Sequence, residues 1–84
     1  MKARIKEDAS VIVSREMRRI YHNTPFPPEL RNYLERLREL AGKELEVIEE
    51  YNDRVVLKYP EPINDTIGID VERRLVEIVK EEMK

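Results

Sequence analysis

Cysteine, tryptophan and glutamine are absent from this chain of 84 residues, and glycine occurs only twice. Without a thiol there is neither a disulfide nor a thiolate metal site to staple a small fold. Gly42 and Gly68 lie too far apart in sequence to build a glycine-rich phosphate loop. His22 is the single histidine, and nothing near it supplies the further ligands that zinc requires. Beside a helix end, such a residue ordinarily favours the negative pole of the helix dipole. Ser10 and Ser14 have no base and orienting group close in sequence. Glu49 and Glu50 are adjacent, so on a strand they face opposite ways and form no acid–base pair. These gaps argue against an enzyme and against a bound cofactor. No apolar run approaches the roughly 20 residues that cross a bilayer. Met1–Lys6 is charged but has no apolar region behind it, unlike a signal peptide. The expectation is a cytoplasmic protein without a membrane partner.

Charge is what the chain has in excess. Charged residues make up 40% of it, against roughly 25% in ordinary globular domains. Rich in Glu, Lys and Arg and devoid of Gln, the composition is thermophile-like. The net charge of −2 hides an asymmetry: residues 1–43 hold ten basic and six acidic side chains, and residues 44–84 six and twelve. Such halves either give a dipolar surface or neutralise each other across their contact. The length suits a single domain spanning 1–84, with a core so small that self-association into a homo-oligomer would help it.

Along the chain, Lys2–Lys6 alternates charged residues with Ala3 and Ile5, a strand pattern. Val11-Ile12-Val13 is too short a run to assign by period. Ser14 resembles an N-cap, with Met17, Ile20 and Tyr21 at helical spacing behind it and Pro25 ending the helix near Asn23. Thr24–Pro28 is a stiff connector. Pro28 suits the first turn of a second helix, in which Leu30, Tyr33, Leu34, Leu37, Leu40 and Ala41 form an apolar stripe that stops at Gly42. Glu44–Tyr51 and Val55–Tyr59 read as a hairpin turning at Asn52-Asp53, Pro60–Asp65 as a loop, and Thr66–Ile69 as a further strand. The tail is ambiguous: Val71, Leu75, Ile78 and Val79 fit a helix, while Leu75–Val79 fits a closing strand after a tight turn at Val71–Arg74.

The order of GKELEVIEEYNDRVVLKY followed by IGIDVERRLVEIV resembles the meander of SH3-like small β-barrels. The resemblance implies a central hairpin, a third strand at TIGID, a 3₁₀ turn at VERR and a last strand at LVEIV, with Lys2–Lys6 pairing beside it. The fold expected is α+β, an SH3-like antiparallel barrel with a helical insertion at about 14–41 between its first and second strands. The alternative is a small antiparallel sheet packed against two helices plus a C-terminal helix over 70–83.

Two binding functions remain. The first is a protein-interaction module, an accessory or mobile-element-encoded protein whose partner-binding residues are Tyr21, Phe26, Glu46 and Glu49. Phe26, the one phenylalanine, stands in a proline-stiffened loop, either as an exposed anchor or as a staple on Leu30. The acidic strand Glu44–Glu50 either attracts a basic partner or is a solvated face that discourages edge pairing. The alternative is nucleic-acid binding through Arg15, Arg18 and Arg19, which share a helix face at i, i+3, i+4. Against it stand a pI near 5.5 and no obvious stacking aromatic on that face.

Overall fold

The alternation at the N-terminus forms strand β1 (Lys2–Ile5), whose apolar side chains Ala3 and Ile5 are fully buried. In the computed structural model, which describes residues 1–63 and 66–79, this short strand sits inside an open five-stranded antiparallel sheet carrying two helices, an α+β fold. The order of elements is β1, α1 (Ala9–Ile20), α2 (Pro28–Leu40), β2 (Glu44–Glu50), β3 (Arg54–Ile63), β4 (Thr66–Glu72), a 3₁₀ turn (Arg73–Leu75) and β5 (Val76–Val79). Across the sheet the strands run β4-β3-β2-β1-β5. The first strand pairs beside the last as expected, with Lys2 opposite Val79 and Ile5 opposite Val76. The sheet does not close into a barrel.

The ambiguity of the tail is resolved as strand, turn, strand over the described part of 70–83, and the helix alternative is corrected there. Val71, Leu75 and Val76 are buried, whereas the helix would have required Ile78 inside, and Ile78 is partly exposed. Residues 80–83 of that alternative lie outside the described residues, as do Asn64 and Asp65 of the expected loop.

Two boundaries differ from the sequence reading for physical reasons. Helix α1 begins at Ala9, not after Ser14, so the insertion starts five residues earlier and Ser14 is interior to it. Val11–Val13 joins the helix because Ala9, Val13 and Met17, spaced four apart, all pack on the core; tertiary burial outweighs the β-branched preference. Strand β3 runs through Pro60 and Pro62, which had read as loop. Its ladder to β4 has no paired residues between Lys58 and Ile63, so no hydrogen bond is asked of a proline nitrogen. The helix end at Gly42 is as expected: Ala41 is the C-cap and Gly42 takes φ +79°, a left-handed conformation that favours glycine.

The core lies between the inner sheet face and the helices. Leu45, Val55, Leu57, Ile69, Val71 and Leu75 come from the sheet half, and Leu37 and Leu40 from α2. Gly68 is needed for close approach, since a Cβ there would stand 2.6 Å from the Leu57 carbonyl oxygen and 3.0 Å from Ile48 Cδ1. Polar contacts tie the helices to the sheet. The Arg74 guanidinium grips both oxygens of Glu16 on α1 at 2.6 Å. The Tyr33 hydroxyl, half-buried on α2, donates to the Asp70 carbonyl of edge strand β4 at 2.7 Å.

Burial, reinforced by the carboxylates of Asp70 and Glu72, pushes the Tyr33 hydroxyl up from 10.0 to about 12. The folded state therefore holds this proton more tightly than the unfolded state, and the stabilisation is complete below pH 10 and lost as pH rises from there towards 12. Chemical denaturation across that window should show stability falling with pH. Tyr33→Phe should lower stability by about 1 kcal/mol at neutral pH and flatten the fall by removing this group's share of it. An unchanged slope in the variant would rule out Tyr33 as its source.

Candidate functional site

Helix α1 is amphipathic in a way that separates apolar from cationic groups. Ala9 and Val13 are buried and Ile12 and Met17 pack against the core, while Arg15, Arg18 and Arg19 are exposed on the remaining surface. Among the described residues none of these three arginines forms an ion pair, whereas Arg4, Arg36, Arg54, Arg73 and Arg74 all do. Of the two outcomes open for the asymmetric halves, neutralisation by the acidic half does not reach this face.

The reason lies in how the carboxylates are spent. Glu44 is held by Arg4 at 3.0 Å, Asp70 by Arg54 at 3.1 Å and Glu50 by Arg73 at 2.9 Å. Arg73 also donates to the Tyr51 carbonyl at 2.7 Å, fastening the β2–β3 turn to the 3₁₀ turn. Glu16, the acid nearest the arginine run in sequence, is engaged by Arg74, whose Nε also meets Glu72 at 2.5 Å. The hydrogen bonds from Arg74 hold the Glu16 carboxyl below its usual range against the opposing effect of desolvation, with a weaker contribution from Arg19. Arg74 is correspondingly raised by Glu16 first and Glu72 second. Glu16 therefore points its charge at the sheet, and the arginine face keeps its own.

Phe26 is not fully exposed in the proline-stiffened connector. It is half-buried, with the Arg18 guanidinium 4.1 Å above its ring centroid and the Tyr21 ring edge-on at 5.9 Å and 77°. Tyr21 and Phe26, expected as protein contacts, thus join Arg18 of the alternative site in one cluster at the α1–α2 connection. Glu46 and Glu49 belong elsewhere, exposed on β2. Glu46 borders a shallow depression with Val47, Ile48, Lys58 and Ile67. Glu49 follows a bulge at Ile48 and accepts a hydrogen bond from the Tyr51 hydroxyl, a bond that raises the tyrosine's pKa. The four expected partner-binding residues therefore divide between two places.

One residue escaped the sequence reading. Arg38 of α2 lines a cavity of about 190 Å³ together with Ser10, Val11, Ser14, Arg15 and Leu34. It is exposed and lies off the apolar stripe of its own helix. Its relation to Arg15 depends on how two helices joined by a seven-residue connector lie together, and a single-helix period carries no such information. Among the described residues no cluster of His, Cys, Asp and Glu could hold a metal ion, and no helix is long and apolar enough to cross a membrane. No family model, curated protein or solved structure matches the chain.

The Arg18–Phe26 contact is measurable. A double-mutant cycle with Arg18→Ala and Phe26→Leu should give a coupling of about 0.5–1 kcal/mol in unfolding free energy. Strict additivity would show that the stacked geometry is not populated in solution.

Proposed function

We propose that this protein is a non-enzymatic binding module on an SH3-like small-barrel framework left open, which grips a nucleic-acid backbone with the Arg15–Arg18–Arg19 face. The strand order β4-β3-β2-β1-β5 and the 3₁₀ turn before the last strand support the framework. The observation that carries the function is the absence, among the described residues, of a carboxylate partner for any of the three arginines. Side chains that are charged, exposed and without a carboxylate partner on one helix face are suited to replacing counterions along phosphates. The pI near 5.5 is compatible with this, because the acidic excess belongs to the sheet half and the field at the helices is local. Tyr21 and Phe26 add an aromatic element beside Arg18, although the Phe26 face is already covered by that guanidinium.

A protein partner, the first expectation from the sequence, is the second reading, and one observation favours it. Ile48 and Ile67 are 46% and 59% exposed and border one depression with Glu46. Apolar groups rimmed by charge form a contact surface suited to a basic protein or to a second copy of the chain. Both readings concern a cytoplasmic accessory protein that acts by binding.

Fluorescence anisotropy with short labelled DNA and RNA strands tests the primary reading. Binding at low ionic strength should weaken with salt on a log–log slope of roughly −2 to −3, as three phosphate contacts require. The triple substitution Arg15→Gln, Arg18→Gln, Arg19→Gln should abolish it. Undetectable binding at low salt would remove the nucleic-acid reading and leave the protein partner.

A further inference from the structure

We infer that the groove between α1 and α2 is a seat for one phosphate group of the nucleic-acid backbone, clamped by Arg15 and Arg38 and completed by the hydroxyls of Ser10 and Ser14. This rests on the nucleic-acid reading of the α1 face and adds to it a second helix and a defined position. The groove lined by these four residues with Val11 and Leu34 measures about 190 Å³, ample for a tetrahedral anion.

The donor set matches that anion. Ser10 and Ser14 stand four apart on α1, on one face one turn from each other, and Ser10 is only 8% exposed. Their hydroxyls can donate from one side, and the two guanidinium groups offer forked, permanently charged donors from the two helices. Among the described residues no carboxylate lines the groove. The acid adjacent to Arg38 in sequence, Glu39, is held by Arg36 at 3.1 Å, and among the described residues neither Arg15 nor Arg38 forms an ion pair. Positive charge continues beyond the groove, with Arg18 one turn past Ser14 on α1 and Arg31 two turns before Arg38 on α2. A backbone seated at the groove would therefore find cations for its neighbouring phosphates as well.

The decisive variant is Arg38→Gln, because Arg38 is exposed and lies outside the α1 face. In the full chain it should weaken oligonucleotide binding several-fold and reduce the salt slope by up to about 1, because Arg15 alone then holds the seated phosphate, with an unchanged melting temperature. Ser14→Ala should weaken binding without changing the slope, since it removes a neutral donor. Inorganic phosphate alone should shift the backbone amides of Ser10, Ser14 and Arg15 in wild type and fail to do so in Arg38→Gln. If Arg38→Gln keeps the full affinity and slope while the triple arginine variant of α1 loses binding, the seat is refuted and the α1 reading survives. If neither variant changes binding, both are refuted. If an acidic peptide moves these amides and phosphate does not, the groove belongs to a protein carboxylate and the phosphate assignment is overturned.

Discussion

The four residues of β1 hold the molecule together. On one side Ala3 faces Leu45 of β2, and on the other it faces Ile78 of β5, so the strand joins the β2–β3–β4 meander to the last strand. Its end is a junction: the Ile5 carbonyl accepts from the Gly42 amide at 2.9 Å, and the Lys6 amide donates to Leu75 at 2.9 Å. Ile5 also bridges to Ala41, so the chain that departs into the helices returns to nearly the point it left. The helical hairpin is thus an excursion with its two ends already pinned. Inserting it costs the sheet little beyond the closure entropy of a loop whose ends are neighbours, and that entropy grows only slowly with length. A charged, short, N-terminal segment would be a weak strand alone; here complete burial of Ala3 and Ile5 and two-sided pairing secure it.

From that junction follows a division of labour in the charges. The sheet half is acidic, and Glu44, Asp70, Glu50 and Glu72 within it are engaged locally by Arg4, Arg54, Arg73 and Arg74. Arg74 matters most for the surface because it reaches out of the 3₁₀ turn and takes Glu16 away from the arginine run on α1. These pairs are exposed, and each contributes modestly to stability. Their larger consequence is electrostatic: the helical hairpin keeps cations that form no ion pair among the described residues. A charge asymmetry between the sequence halves thereby persists as a difference between a sheet face and a helix face.

Much of the framework was legible in the residues because local and global signals agreed. The stripe from Leu30 to Ala41 with Gly42 behind it, the turn at Asn52-Asp53 and the pairing of first and last strands are found as the pattern implies. The start of α1 was not, because Val11–Val13 prefers strand locally and only the position of the core decides otherwise. The prolines of β3 misled in the opposite direction, since a proline excludes a ladder bond and not an extended conformation. The candidate site was half legible. Shared spacing revealed the face of Arg15, Arg18 and Arg19, but whether carboxylates would cancel it depended on contacts across 58 residues, such as that between Glu16 and Arg74. The same holds for Arg38, and for Phe26, whose neighbours are fixed by the path of the connector and not by its proline content.

The central claim is that binding belongs to the uncommitted cations of the helical hairpin and not to the sheet. Amide chemical-shift mapping of the intact chain during titration with a short oligonucleotide tests it most directly. Perturbations confined to residues 10–19 of α1 and to Arg31–Arg38 of α2, with β2, β3 and β4 unmoved, are the predicted result. Perturbations centred on Glu46, Ile48 and Ile67, or none at any ratio at low salt, would contradict it.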